Sequence, residues 1–281
     1  MAKVFLEFDE SQIEGRVVLA LTGDAELFKQ ASTRPHEWDM HTHNAALIFG
    51  LSYEGLKRDL KSDDKLVKAR AKEFRYFGKR GVHGAQRDMR GRRLSETLIL
   101  DGVYKTPAEC DRMLEAYHAS VPQIRTNYFR WIRGLVMRDR LLLNSWGRRM
   151  DFRYDRLGPE LFRQAYSFLP QSECADLLNQ RGVIPVHRYF MDNLGYPPNL
   201  QVHDSMLCSV EPNHAYDLAK FVEKTLEYPI PCGGFRLVVP VTFKLGSSWE
   251  CEFDWDKLPS REEFTEAALA CERKVKEREG A

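Results

Sequence analysis

No run of about 18 apolar residues occurs in this chain, which excludes a helix able to cross a bilayer. No signal-peptide pattern opens it. MAKVFLEFDES passes directly into a strand-like segment, and a cytoplasmic protein is expected. The six cysteines, Cys110, Cys174, Cys208, Cys232, Cys251 and Cys271, include no CxxC pair. The spacing of a zinc site is therefore missing, and buried free thiols are expected. Neither sign of charge is in excess: 42 Lys and Arg face 41 Asp and Glu, for a net charge of +1. Binding to a polyanion would need a local patch. Internal repeats, low-complexity tracts and obvious linkers are also absent, and 281 residues suit one large domain or two smaller ones.

One patch stands out from this neutral background. Between Lys61 and Arg90 there are ten Lys or Arg against four acids. Inside it, RYFGKRGVHGAQR places Arg75, Lys79, His83 and Arg87 at every fourth position and Gly78, Gly81 and Gly84 at every third. Residues four apart in a helix drift by about 40° around the axis, so these four side chains form one slowly turning stripe. Each interior glycine costs ~1 kcal/mol against alanine, so such a helix is not built for stability alone. The bland reading is a solvated helix face. The sharper one is a row of charge-assisted donors for phosphate oxygens, with glycines that admit a flat group or another backbone. A Walker-type loop matches poorly: Arg80 follows Gly78-Lys79 where Ser or Thr is required, and no strand enters before it.

Periodicity and punctuation place the remaining elements. Val4 to Asp9 reads as a strand, Ser11 to Leu21 as a short helix, and His41 to Phe49 and Asp63 to Met89 as helical, with Pro35 and Trp38-Asp39 as breaks. Thr106-Pro107-Ala108-Glu109 is a capping box for a helix running to about Ala119. A second helix after Pro122 carries Ile124, Tyr128, Ile132 and Val136 on one apolar stripe. Asn144 to Phe152 suits a hairpin around Gly147, and Glu160 to Gln180, His187 to Asn193 and Ala215 to Leu226 suit helices. Pro197 to Pro212 holds two strands joined at His203-Asp204. Phe235 to Phe243 reads as one strand whose Pro240 argues for an edge. Ser260 and Glu263 box a last helix through Phe264, Ala267, Leu269, Cys271 and Val275. The order implies an α+β fold, a sheet with a large helical insertion. Asp9 ends one strand and Asp204 tips a hairpin. Each alone reads as a turn or cap residue, but on a shared sheet the two would hold divalent cations, as in two-metal phosphoryl transfer.

These segments carry a resemblance. FDESQIEGR (Phe8 to Arg16) resembles motif A of family A DNA polymerases, RYFGKRGVHGAQR resembles motif B, and QVHDS (Gln201 to Ser205) resembles motif C. Lesser matches keep the same order: DMHTHNAALIFG (Asp39 to Gly50), GRRM (Gly147 to Met150), RQAYSFLPQSECAD (Arg163 to Asp176) and VPVTFKLGSSW (Val239 to Trp249). The resemblance implies an antiparallel palm sheet over 1–22 and 159–257, with the motif C hairpin at 199–210. It implies fingers over 23–158, with the motif B helix at about 64–89, and a C-terminal helix over 258–281.

The implied chemistry is template-directed transfer from a dNTP to a primer 3′-hydroxyl. Asp9 and Asp204 would hold two magnesium ions, manganese being the alternative. Arg75, Lys79 and His41 would contact the triphosphate, His83 the sugar and base, and Glu14 would gate against a ribose 2′-hydroxyl. Gln12 and Arg87 complete the nucleotide site. Arg163, Ser167 and Gln171 would reach primer–template DNA, with Arg16 and His203 supporting that side, and glycine would lie beside the base pair. The chain departs from the pattern at Glu10 and Arg87 (tyrosine), His83 (an aromatic), Ser167 (asparagine) and Ser205 (glutamate). Thumb and exonuclease domains have no counterpart. The chain is therefore expected to be the C-terminal piece of a split polymerase, with a separate polypeptide supplying thumb and N-terminal palm, or a fragment of a longer product. An uncovered edge or apolar face on the sheet is expected too. A phage-type source would put the chain in the cytosol of a bacterial host. The alternative function is a non-catalytic nucleic-acid-binding subunit with a degenerate polymerase fold.

Overall fold

Alternation in VFLEFDE sends Val4, Leu6 and Phe8 to one side and Phe5, Glu7 and Asp9 to the other. This is β1 (Val4–Glu10) of the computed structural model, which describes residues 2–279. Met1 and Gly280-Ala281, the outermost residues of the expected first and last segments, lie outside the described residues. Gln12, in the left-handed region at φ 56°, turns the chain into α1 (Ile13–Leu21). The helices α2 (Ala25–Ser32), α3 (Met40–Phe49), α4 (Tyr53–Asp59), α5 (Lys65–Ala85) and α6 (Gly91–Leu100) follow. Periodicity does not reveal α2, α4 or α6. They are short, and side-chain caps from Asp24 and Ser52 start the first two, while Asp111 accepts from the Gly91 N–H at the start of the third.

The capping box at Thr106 is complete and opens α7 (Pro107–Ser120). A π-helical stretch, Ile124–Phe129, runs into α8 (Arg130–Asp139), and the apolar stripe Ile124, Tyr128, Ile132 and Val136 is wholly buried. A hairpin of β2 (Leu141–Leu143) and β3 (Arg149–Asp151) turns near Gly147, φ 84°. α9 (Pro159–Leu177) passes through a second π-helical stretch, Leu178–Val183, into α10 (Ile184–Asn193). The strands β4 (Leu200–Val202) and β5 (Ser205–Val210) meet at His203-Asp204. Last come α11 (Pro212–Leu226), a small hairpin of β6 (Ile230–Cys232) and β7 (Phe235–Leu237), then β8 (Val241–Gly246), β9 (Phe253–Trp255) and α12 (Arg261–Glu279).

The main sheet is antiparallel in the order β4-β5-β1-β8-β9. One expectation fails here. Phe235 to Phe243 is not a single edge strand: Pro240 falls in the gap between β7 and β8, and β8 sits inside the sheet between β1 and β9. Proline breaks the run instead of marking an edge, and its carbonyl accepts from the Ser11 N–H at 3.0 Å.

The two faces of the sheet differ in chemistry. Val4, Leu6, Phe8, Met206, Cys208, Val210, Val241, Phe243 and Leu245 form the buried face, with α11 and α12 packed against β1 and β8. The expected bare apolar face is therefore absent among the described residues. Phe264, Ala267, Ala268 and Cys271 of α12 are buried beside it, although Leu269 turns outward. The β4 edge does stay open, with Leu200 exposed. The opposite face carries Glu7, Asp9, Thr242, Lys244 and Ser205, none of them fully buried, and it forms the floor of the site.

Candidate active site

The register of the central strands brings the two aspartates together. Asp9 pairs with Ser205, and the Glu10 N–H donates to the Asp204 carbonyl at 3.1 Å, so Asp204 sits in the turn directly beside the end of β1. His203, at φ 53°, makes that turn and is exposed. Burial and then the neighbouring Asp204 carboxylate push the Asp9 carboxyl up to about 7. Lys244 and Lys79 oppose that rise. Lys244 is a site residue that sequence reasoning missed. It stands across from Glu7 on β8 and bonds it at 2.6 Å, and the alternation of VTFKLG is the signal that faces it toward Asp9.

Glu10 does not join the polar face beside Asp9. Strand alternation turns it to the buried face, where it is 0% exposed and burial raises its pKa well above the usual range. Cys174 of α9 donates its thiol to one carboxyl oxygen at 3.7 Å, and the other has no partner among the described residues.

The basic stripe lies on α5 above this floor. Lys79 and His83 are near enough to act electrostatically on Asp9 and Asp204 respectively. Lys79 is exposed. Arg75 is held by Asp39, with bonds of 2.6 and 3.3 Å. Asp39 is a hub: it caps α3 and also accepts from Gln12 at 2.9 Å and Thr42 at 2.8 Å. Burial opposes its ionisation, but the Arg75 guanidinium and the Thr42 hydroxyl hold it down at about 2. His41 and His83 are both neutral at physiological pH. Burial lowers His41 to about 3 despite Asp39, and burial with Arg87 and Lys79 lowers His83 to about 4.

Three placements differ from expectation. Arg87 is not on the motif B helix, which ends at Ala85; it lies in the following turn and pairs with the Glu14 carboxylate, which His83 also approaches at 3.9 Å. Arg16 is 0% exposed and donates to the carbonyls of Ser11, Ala31 and Thr33 at 2.7, 2.6 and 2.6 Å. It stitches α1 to the end of α2 and offers DNA no surface. The glycines face packed protein atoms, Gly84 meeting Met89 of the following turn before any helix. A Cβ on Gly78 would lie 2.7 Å from the Ala45 backbone nitrogen of α3; Gly81 meets Ile48, and Gly84 meets Leu114 of α7. Close approach of another backbone is realised at Gly78, while Gly81 and Gly84 make room for neighbouring side chains.

A cleft of about 840 Å³ adjoins the site. Arg163, Ser167 and Gln171 of α9 line it together with Arg87, Arg90 and Arg93. Arg148 also lines it, braced by Asp176 at 2.6 Å. Arg90, Arg93 and Arg148 were not singled out as site residues, although Arg90 closes the basic run and Arg148 lies in the GRRM match. Within α9, Arg163 pairs with Glu160 at 2.6 Å, and the Ser167 hydroxyl donates back to the Arg163 carbonyl at 3.0 Å.

Comparison with known proteins gives a consistent result. The family model described as DNA polymerase family A matches residues 1–251. A thermostable DNA polymerase I of Thermus thermophilus is 28% identical over 256 residues, covering 88% of this chain and 27% of that protein. DNA polymerase I of Helicobacter pylori is 26% identical over 232 residues, covering 80% of this chain and 23% of that one. The chain thus spans about a quarter of the length of these relatives. Among solved structures, the POL domain of Pol1 from M. smegmatis, in complex with DNA primer-template and dNTP, superposes with a TM-score of 0.64 at 22% identity. The match covers 88% of this chain and 40% of that one.

Proposed function

The chain belongs to DNA polymerase family A, and from that premise we propose that it carries the nucleotidyl-transfer site of a template-directed DNA polymerase. The observation that carries the reading is the meeting of Asp9 and Asp204 at neighbouring strand ends, beneath Lys79 of α5. The donor set suits divalent cations: two carboxylates share one end of the sheet, and burial with mutual repulsion keeps a proton on Asp9 that a cation would displace. Asp9 and Asp204 would hold magnesium or manganese. Bound there, such ions would favour ionisation of the primer 3′-hydroxyl and neutralise charge on the departing pyrophosphate.

The protein's own groups supply the rest. Lys79 is positioned to meet the triphosphate, with Arg75 beside it, oriented by Asp39. Neutral His83 and His41 line the same side as hydrogen-bonding rings and not as cations. Glu14, fixed by Arg87, borders the place for the sugar. The cleft beside α9 suits primer–template DNA, because its arginines reach phosphates and Gln171 offers an amide to base edges. In this reading, segments 1–22 and 159–257 act as palm and 23–158 as fingers.

Primer extension with a defined template, magnesium and dNTPs tests it. Asp204→Asn is expected to abolish extension while circular dichroism and duplex binding stay near wild type. A wild-type chain that binds primer–template but never extends it, with either metal, would favour the non-catalytic subunit, for which the serine at 205 is the feature in support. Adding a thumb-bearing polymerase fragment to the same assay tests whether a separate polypeptide completes the enzyme.

A further inference from the structure

The chemistry above uses only the inner half of the α5 stripe. About 100° per residue places Lys65, Lys68, Lys72, Arg75, Lys79 and His83 within an arc of about 80° on that helix. The outer three lysines continue the line of the inner groups and extend it outward, with about 21 Å between Lys65 and Lys79 at 1.5 Å per residue. From Asp63 to Arg70 every residue is exposed, so this end of α5 projects from the body. Arg75 and Arg80 have acidic partners, Asp39 and Asp101. Among the described residues no acid lies within ion-pair distance of Lys65, Lys68 or Lys72. Of the acids nearest in sequence, Asp64 is turned into the helix end and accepts from the Leu66 and Val67 N–H groups, and the exposed Asp63 and Glu73 make no ion pair with the three lysines. Three exposed ammonium groups without an ion pair on one stripe are unlike a typical solvated helix face, where acids and bases pair at this spacing.

We propose that Lys65, Lys68 and Lys72 form an electrostatic approach track that captures the triphosphate of an incoming nucleotide and passes it along α5 to Lys79. The proposal rests on the polymerase reading of the inner site. A polyphosphate is the occupant that fits. The track is one helix wide, it ends at the cation nearest the paired aspartates, and it carries no base-stacking platform on its outer half. Phe74 points to the opposite side of α5 and packs on Phe49 at 5.0 Å. Single-stranded DNA would call for such a platform. Steering of this kind raises association rates by tenfold or more at low salt and fades once the Debye length falls to about 8 Å.

The test is stopped-flow association of a fluorescently labelled dATP with the full chain, in magnesium, at ~20 and ~150 mM salt. A Lys65→Glu, Lys68→Glu, Lys72→Glu variant is compared with Lys29→Glu, Lys224→Glu, Lys257→Glu, which makes the same change in net charge at exposed lysines elsewhere. The track variant is expected to associate roughly tenfold more slowly at the lower salt, with its dissociation rate unchanged and the deficit shrinking at the higher. The control variant is expected to stay within about twofold of wild type, by the same screening. Equal rates in the two variants overturn the track, and so does a loss confined to binding of a single-stranded oligonucleotide. Lys79→Ala in parallel separates the two levels. If it weakens nucleotide binding while the two triple variants match, only the track falls. If wild type binds no nucleotide, the polymerase reading falls and the track with it.

Discussion

At the scale of single residues, protonation of Asp9 bears on stability and, in the proposed reading, on metal binding. Its ordinary value is 3.8 and burial beside Asp204 raises it to about 7, so between these values the folded chain binds a proton that the unfolded chain has released. The stability contributed by this group is complete below about pH 4 and is lost as pH rises through about 7. Asp9→Asn stays neutral throughout. It is expected to raise Tm by several degrees at pH 8 and to leave it unchanged at pH 4. Magnesium is expected to raise the Tm of wild type at pH 8 but not that of the variant. Thermal melts at the two pH values, with and without magnesium, check both. Lys79 is the second decisive residue, because it is exposed while Arg75 and Arg87 are engaged by carboxylates. Lys79→Ala is expected to lower kcat/KM for dNTP by about 3 kcal/mol, the size seen when one donor to developing charge is removed. Steady-state extension kinetics measure it.

At the scale of elements, the glycines of α5 explain how a helix of poor propensity stays folded. Gly78 allows α5 to lie against the backbone of α3, and that contact sets Arg75 against Asp39. Conformational freedom is given up in exchange for a close helix crossing. Gly78→Ala puts a methyl group 2.9 Å from the Ala45 Cβ and 2.7 Å from its nitrogen, and backbone on both sides leaves no flexible group to yield. The expected cost is about 2–3 kcal/mol, as for other overpacked sites. It would be read as a lower urea midpoint at unchanged m-value, accompanied by weaker dNTP use as Arg75 shifts.

At the scale of the whole molecule, the sheet separates stability from chemistry. Its apolar face is closed by α11 and α12, and its polar face carries the aspartates. The helix α12 lies beyond the matched residues 1–251, yet its Phe264 is 0% exposed and packs between Trp255 at 5.2 Å and Tyr216 at 5.8 Å. Phe264→Ala is expected to cost about 3–5 kcal/mol, as for a large buried aromatic. Extension per folded molecule should be unchanged, since the helix is on the far side of the sheet. Chemical denaturation and active-site titration together separate the two effects. A variant of full stability, or one folded but inactive, would contradict this division.

What the sequence by itself determined is local: the β1 alternation that splits Glu7 and Asp9 from Leu6 and Phe8, the capping box at Thr106, the hairpin at His203-Asp204, and the order of the motifs. These follow from covalent geometry and from groups a few residues apart, so spacing suffices to read them. Tertiary structure alone decided the rest. Gly78 and Arg75 lie in the same helix, yet which of them meets α3 or the cleft depends on a partner some 35 residues away. Arg16 and Glu10 look like site residues by position, but packing buries both. Pro240 reads as an edge signal until the chain on either side joins two different sheets. The charge states of Asp9, His41 and His83 are set by desolvation, which depends on everything packed around a group and therefore has no local signature.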